Sequence, residues 1–268
     1  MFVREDISIN YQITGSGPRL LFFNGSGATL ETSALLIRAL SSVCEVLAHD
    51  QRGLGHTTIP DGPYTMSQYA QDAAALLDHV GWKTSLVVGI SFGGMVAQEF
   101  AVTYPRRVTQ LVLMCTSAGG AGGSSYPLHT LGSLPVNDRA KKIIELTDTR
   151  FTQQWLQDHP TDAEIVRAIQ ERSSILKSKS QIKGEVLQLG ARAGHNVADR
   201  LHLVACPTFV AAGRFDGIAP VSNSEAIVEE ISQATLRVYE GGHSFLMQDR
   251  NAIRDIRTFL TDGTVSSS

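Results

Sequence analysis

The chain has 268 residues, of which 43% are hydrophobic and 18% charged, a composition typical of a globular protein with a large core. Its formal net charge of -3 and the lack of any run rich in lysine and arginine argue against a nucleic-acid partner. No apolar run approaches the length of a membrane span, and the start of the sequence has no apolar region typical of a secretory signal. We therefore expect a cytoplasmic protein without membrane association.

The first part of the chain alternates between short apolar runs and segments with helical periodicity. Strands are predicted over residues 7–14, 19–24, 44–50, 85–89 and 108–115, and helices over residues 31–40, 65–80 and 93–105. Such alternation predicts a parallel sheet covered by helices on both faces. Cys44, Cys115 and Cys206 lie within or beside apolar runs, without metal-like spacing, and are expected to be buried thiols.

The alternation then breaks. Residues 117–127 are rich in glycine and serine, and residues 137–193 have helical patterns without a convincing strand. Beyond them, strands are predicted over residues 207–213 and 235–240, a helix over residues 243–260 and a loose tail over residues 261–268. We therefore predict an α/β core formed by residues 1–116 and 204–268, interrupted by a helical cap at residues 117–203.

A serine stands at the junction of a predicted strand and helix, in the stretch LVVGISFGGMVAQEF. Gly89, Ser91 and Gly93 match G-x-S-x-G, which at such a junction forms a nucleophile elbow. The turn is so tight that the residues two before and two after the serine must be small. It would expose the Ser91 hydroxyl above the carboxyl edge of the sheet, where ligands of open α/β sheets bind. Ser91 is therefore the candidate nucleophile, and a simple helix cap is the alternative.

A serine nucleophile needs a base, and in this topology the partners follow in the order serine, acid, histidine. His243 fits that order, because it lies on a glycine-flanked loop after the last predicted strand. Asp216 follows the strand over residues 207–213 and is the acid expected to hold the imidazole in the correct tautomer. Asp50 also follows a strand, but too early in the chain, and we expect it to tie a loop together with Arg52.

Acyl transfer also needs backbone N–H groups that stabilise an oxyanion. One is expected from Phe92, the residue after the candidate nucleophile. The other is expected from the loop NGSGAT, whose glycines allow its backbone to approach a ligand closely. Ser26 is the best candidate there, Gly25 is the alternative, and a plain glycine turn is the competing interpretation of the loop.

The motifs NGSG, DQRGLG, GISFGG, AAGRFDGIAP and EGGHSF occur in an order that resembles the α/β-hydrolase superfamily, over about residues 7–260. The resemblance implies an eight-stranded, mostly parallel sheet flanked by helices, with a helical cap. It implies Ser91, Asp216 and His243 as a catalytic triad, with the oxyanion hole formed by the amides of Phe92 and Ser26. Within the superfamily the chain is similar to 3-oxoadipate enol-lactonases and to cofactor-free haloperoxidase-like esterases.

The expected function is that of a serine hydrolase that cleaves a small-molecule carboxylic ester or lactone through an acyl-enzyme, with no metal and no organic cofactor. The alternatives are a C–C bond hydrolase or perhydrolase with the same triad, and a ligand-binding protein of this fold without turnover. Substrate identity depends on the cap, where Trp155, Phe151, Leu156 and Ile175 either line a pocket or pack the cap against the core. Oligomeric state is left open by the sequence.

Overall fold

A seven-stranded sheet forms the centre of the computed structural model, which describes residues 1–4 and 6–264. The strands are β1 (Phe2–Arg4), β2 (Ile7–Ile9), β3 (Tyr11–Thr14), β4 (Arg19–Phe23), β5 (Glu45–His49), β6 (Ser85–Ile90), β7 (Val108–Met114), β8 (Thr208–Gly213) and β9 (Ala234–Tyr239). The order in the main sheet is β3-β5-β4-β6-β7-β8-β9. Strand β3 is antiparallel to β5 and every other neighbouring pair is parallel, so the predicted α/β class is confirmed.

The main sheet has seven described strands, whereas eight were expected. The predicted strand over residues 7–14 is interrupted at Asn10, whose amide donates to Thr57 Oγ1 (2.9 Å) and whose carbonyl accepts from the amide of Asp50 (2.9 Å). Asn10 Nδ2 also donates to Asp50 Oδ2 (2.8 Å). These bonds separate β2 from β3, and β2 pairs with β1 in a small antiparallel sheet of its own.

Helices cover the sheet and fill the segment between β7 and β8. They are α1 (Ala34–Ser41), α2 (Met66–His79), α3 (Phe92–Thr103), α4 (Val136–Thr147), α5 (Gln153–Asp158), α6 (Pro160–Ser174), α7 (Lys179–Ala193), α8 (Val221–Glu230), α9 (Phe245–Gln248) and α10 (Arg250–Asp262). The predicted last helix is two helices, because Asp249 leaves the helical conformation (φ -117°, ψ 112°) and caps α10 by accepting from the amide of Asn251. Four residues of the predicted tail, 265–268, lie outside the described residues.

The sheet is buried on both faces. Along β4, Leu21 and Phe23 belong to one apolar cluster, and Leu20 and Phe22 belong to another on the opposite face. This explains why the strands are continuous apolar runs rather than alternating ones. The three cysteines are buried and unpaired, as predicted. No helix in the described part of the chain is both long and apolar enough to cross a membrane.

Residues 117–203, all of which are described, contain α4 to α7 and three short 3₁₀ turns, and no strand is assigned among them. Phe151, Trp155 and Leu156 pack with one another in a small cluster of this segment, whereas Ile175 is 64% exposed. We therefore find packing for three of the four candidate pocket residues. The exact division into core and cap stays a prediction.

Helix α7 docks tightly on the core through a pair of glycines. A Cβ atom added at Gly184 would lie 1.9 Å from the carbonyl oxygen of Gly53, in the loop after β5. Gly190, six residues further along the same helix, has no neighbour within 4 Å of such a Cβ atom. The helix and the loop therefore touch backbone to backbone at residue 184 but not at residue 190.

This contrast predicts opposite effects of the same substitution at the two glycines. Gly184→Ala is expected to lower the free energy of unfolding by about 1–3 kcal/mol, because its methyl group forces the helix away from the loop. Gly190→Ala is expected to raise it by about 0.5–1 kcal/mol through helix propensity alone. Denaturant unfolding of both variants checks this, and a stabilised Gly184→Ala protein would contradict the close docking of α7.

Candidate active site

Ser91 lies between β6 and α3 with a strained backbone. Its φ of 54° and ψ of -117° are rare for a residue other than glycine. The conformation is held from the neighbouring strand: the amide of Ser91 donates to the carbonyl of Met114 (2.8 Å), and Thr116 Oγ1 donates to the carbonyl of Ser91 (2.9 Å). The strain is therefore fixed by hydrogen bonds outside the turn itself.

The glycines on either side of Ser91 are required by contact. A Cβ atom at Gly89 would lie 2.3 Å from the carbonyl oxygen of Gly93, and one at Gly93 would lie 2.1 Å from the carbonyl oxygen of Phe23 at the end of β4. Real Cβ atoms do not approach backbone so closely. The prediction that these positions must be small is confirmed, and the start of α3 is pressed against the end of β4.

The structure brings Ser91, His243 and Asp216 together. Ser91 Oγ is 3.0 Å from His243 Nε2, and His243 Nδ1 is 2.7 Å from Asp216 Oδ2. Because a carboxylate only accepts hydrogen bonds, Nδ1 carries the proton and Nε2 is free to accept from the Ser91 hydroxyl. The amides of Ile218 and Ala219 donate to Asp216 Oδ1 (2.7 and 2.8 Å), so this buried carboxylate is held on both oxygens.

The end of α4 supports the loops that carry the acid and the histidine. The carbonyl of Leu146 accepts from the amide of Gly217 (2.9 Å), and the carbonyl of Thr147 accepts from the amide of His243 (2.6 Å). A Cβ atom at Gly242 would lie 2.0 Å from the same Thr147 oxygen. Two successive carbonyls of the helical segment therefore fix the two loops relative to each other.

Gln248, which the sequence did not single out, ties the histidine loop to buried carboxylates. Its Oε1 accepts from the amide of Gly242 (2.9 Å), and its Nε2 donates to Asp148 Oδ2 (2.9 Å) and Asp162 Oδ1 (3.0 Å). Only its position five residues after His243, at the end of α9, would have marked it in the sequence. Gln248 is therefore a positioning residue next to the candidate base.

Both carboxylates that bind Gln248 have further partners. Arg150 donates to Asp148 through Nε (2.9 Å) and Nη2 (2.7 Å), and Trp155 Nε1 donates to Asp162 Oδ2 (2.7 Å). The Arg150 guanidinium also lies 3.9 Å from the ring centre of Phe215, the residue before the candidate acid. Arg150 balances the charge of Asp148. The network connects α5, α6 and α9 to the loops that carry Asp216 and His243.

The loop at residues 24–28 lies beside Ser91, the candidate nucleophile. A Cβ atom at Gly25 would be 3.6 Å from the Cβ atom of Ser91. The amide and carbonyl of Gly27 are bound by Gln188 Oε1 (2.8 Å) and Arg172 Nη2 (2.8 Å) from the helical segment. The amide of Ser26 donates to no other described residue.

Asp50 has a structural role, as expected. Its carboxylate accepts from the amides of Leu30 (2.7 Å) and His56 (2.9 Å). Arg52 is not its partner: it forms a buried bidentate ion pair with Asp72 through Nε and Nη2 (both 2.8 Å). The two residues therefore secure the same loop through separate contacts.

Cys115 completes a group of three possible metal ligands with Asp216 and His243, whose ligand atoms lie within 4.8 Å of one another. The carboxylate and the imidazole already bind each other. Burial raises the pKa of the Cys115 thiol well above its usual value, and the charge of Asp216 raises it further. The thiol is therefore held protonated, which is unfavourable for metal binding.

Comparisons with known proteins identify the family. The family model described as alpha/beta hydrolase fold matches residues 18–130. A poly(3-hydroxyalkanoate) depolymerase of Ectopseudomonas oleovorans is 32% identical over 239 residues, which cover 88% of this chain and 82% of that protein. A 3-oxoadipate enol-lactonase 2 of Acinetobacter baylyi is 29% identical over 242 residues, covering 89% and 87%.

Among solved structures, an enol-lactonase from Burkholderia xenovorans LB400 superposes with a TM-score of 0.79 at 21% identity, covering 95% of this chain and 96% of that one. Together with the fold and the site geometry, these similarities show that the chain belongs to the α/β-hydrolase superfamily. It is a hydrolase of this fold.

The position of Gln248 predicts a role in catalysis as well as in stability. Gln248→Ala is expected to lower kcat for a chromogenic ester by about 10- to 100-fold with a smaller change in KM, because a misplaced base costs rate more than binding. The free energy of unfolding is expected to fall by about 1–3 kcal/mol, since the buried backbone amide of Gly242 loses its acceptor.

The matched control is Gln154→Ala, which removes an exposed glutamine bonded only to Asp158 in α5. It is expected to leave both quantities unchanged. Steady-state kinetics and denaturant unfolding of the two variants are the measurements, and an unaltered kcat in Gln248→Ala would remove the positioning role.

Proposed function

We propose that this hydrolase cleaves a carboxylic ester or lactone through an acyl-enzyme formed on Ser91. The observation that carries the proposal is the line of hydrogen-bond distances from Ser91 Oγ to His243 Nε2 and from His243 Nδ1 to Asp216 Oδ2. A hydroxyl bonded to a neutral imidazole, which is in turn oriented by a buried carboxylate, is the arrangement that activates serine nucleophiles.

The proposed reaction has two halves. Ser91 Oγ attacks the acyl carbonyl while His243 Nε2 takes its proton, and Asp216 stabilises the imidazolium that forms. The amides of Phe92 and Ser26 are the proposed donors to the oxyanion, helped by the positive end of α3. His243 then returns the proton to the leaving oxygen. A water molecule, deprotonated by His243, finally attacks the acyl-enzyme and restores Ser91.

Two relatives support an ester-type bond as the target, since their names are poly(3-hydroxyalkanoate) depolymerase and 3-oxoadipate enol-lactonase 2. Every step proposed uses groups of the chain itself, so we propose a small-molecule substrate and no cofactor. We also propose that residues 117–203 form the cap over this site, because α4, α6 and α7 all bind loops that carry its groups. A cytoplasmic location stays a prediction.

The proposed nucleophile predicts the outcome of a single substitution. Ser91→Ala is expected to lower kcat for p-nitrophenyl butyrate by about a thousandfold or more, with a burst of p-nitrophenol seen only in the wild type. Ser174→Ala, which removes an exposed hydroxyl in α6, is the control and is expected to retain full activity. Full activity in Ser91→Ala would overturn the proposal.

A substrate panel separates the proposal from its alternatives. Simple lactones and esters of graded acyl length are expected to be hydrolysed with the same dependence on Ser91. A chromogenic ring-cleavage product of the β-diketone type is expected to be a poor substrate. If it is turned over much faster than every ester and lactone, the C–C bond hydrolase becomes the correct assignment.

A further inference from the structure

Arg192, near the end of α7, is a buried cation with unused hydrogen-bonding capacity. Only 5% of the residue is exposed, and its Nη1 donates to the carbonyl of Tyr126 (2.7 Å). Its Nε and Nη2 atoms are buried and have no hydrogen-bond partner among the described residues. Burying a charged group without hydrogen-bond partners is unfavourable, and buried charges are normally paired. A group that could pair with these two atoms is therefore sought outside the described residues.

The charge persists at neutral pH. Burial lowers the pKa of Arg192 to about 10, and the charge of Asp216 opposes this shift. Asp216 does not supply the missing hydrogen bonds, because its oxygens accept from His243 and from the amides of Ile218 and Ala219. Arg192 is therefore near the candidate acid without being bonded to it.

The Nε and Nη2 atoms, which have no described partner in Arg192, are the atoms through which two other arginines of this protein bind carboxylates. Arg52 binds Asp72 through Nε and Nη2, and Arg150 binds Asp148 through the same pair of atoms. This edge of a guanidinium presents two parallel N–H groups that match the two oxygens of a carboxylate. In Arg192 the same two atoms have no hydrogen-bond partner in the part of the chain that the structure describes.

Neighbouring contacts place Arg192 at the site. Gln188 lies one turn earlier on the same face of α7, is fully buried, and accepts from the amide of Gly27 in the loop beside Ser91. Its Nε2 also has no hydrogen-bond partner among residues 1–4 and 6–264. On the other side, Tyr126, which binds Arg192, donates through its amide to the carbonyl of Ile218 in the acid loop (2.7 Å). This face of α7 therefore spans from the proposed oxyanion loop to the acid loop.

We propose that Arg192 and Gln188 bind a carboxylate carried by the substrate. The substrate class is an ester or lactone with a second, ionised carboxyl group, held by the Arg192 Nε and Nη2 atoms and the Gln188 Nε2 atom while the acyl carbonyl faces Ser91. This inference rests on the proposed function, since it specifies the substrate of the same site. A purely electrostatic role of Arg192, acting on Asp216 and His243, is the alternative that the experiment must separate.

The test compares matched esters that differ only in one charge. The substrates are mono-p-nitrophenyl esters of glutaric and adipic acid and the same molecules with the distal carboxyl methylated, with spontaneous hydrolysis subtracted. The wild type is expected to prefer the acid form by at least about tenfold in kcat/KM. Arg192→Met is expected to lower kcat/KM for the acid form by about 10- to 100-fold, mainly through KM, and to change the neutral form less than about threefold.

Two further variants and one inhibition assay sharpen the result. Arg192→Lys retains the positive charge but lacks the two parallel N–H groups of a guanidinium. It is expected to recover only part of the preference for the acid form. Arg167→Met, which removes an exposed arginine of α6 paired with Glu164, is expected to change neither substrate. If the Arg192 variants do not fold, adipate in the wild type is expected to compete with the neutral ester at least about tenfold better than its diamide, which has no ionised carboxyl group.

Equal losses on acid and neutral esters in Arg192→Met, above all in kcat with a shifted pH profile, would assign Arg192 to the triad and overturn the inference. So would a wild type that shows no preference for the acid form, or equal inhibition by adipate and its diamide. Turnover of the neutral ester that depends on Ser91 leaves the proposed function standing in all these cases. Conversely, adipate binding to Ser91→Ala by calorimetry would support the carboxylate site even if no ester were hydrolysed.

Discussion

The close approach of α3 to the ends of β4 and β6 is the constraint on which the site depends. It forces Ser91 into a left-handed conformation that costs about 1–3 kcal/mol for a residue other than glycine. The cost is offset by hydrogen bonds to Met114 and Thr116 on the next strand and by a helix that is buried along nearly its whole length. The hydroxyl consequently meets an imidazole delivered by a loop more than 150 residues away along the chain.

The helical segment does more than cover the sheet. Carbonyls at the end of α4 hold the acid and histidine loops, Gln188 and Arg172 hold the loop beside the nucleophile, and Asp148 and Asp162 hold Gln248. A substrate that displaces α7 would therefore move a proposed oxyanion donor as well. If the proposals for the nucleophile and for Arg192 hold, selection of the substrate and alignment of the reacting groups depend on the same contacts. Helix α7 is itself held close to the core where Gly184 meets Gly53.

The parts predictable from sequence are those with a local physical signature. Short segments of the sequence were enough to identify the glycines around Ser91, the order of acid and histidine, and the apolar runs of a sheet covered on both faces. The break at Asn10 left none, because it results from hydrogen bonds to Asp50 and Thr57 far along the chain. The Gly/Ser-rich residues 117–127 gave no hint that Tyr126 bridges Arg192 and the acid loop.

The contacts of the helical segment and of α9 were the hardest to foresee. For Trp155 and Phe151 the sequence left pocket lining and packing open, and the structure shows them packed within the helical segment. Arg192 looked like one more charged residue in a helix, since burial and the absence of a partner are properties of three-dimensional packing. Gln248 likewise stands out only through its hydrogen bonds to Gly242, Asp148 and Asp162, none of which its sequence position indicates.

Covalent labelling tests the central claim most directly. After treatment with a fluorophosphonate, peptide mass spectrometry is expected to find one adduct, on the peptide that contains Ser91, and its formation is expected to slow strongly in His243→Gln, where the base is lost while the loop remains. An unlabelled protein, an adduct on another residue, or labelling that is as fast without His243 would contradict the activation of this serine by its neighbours.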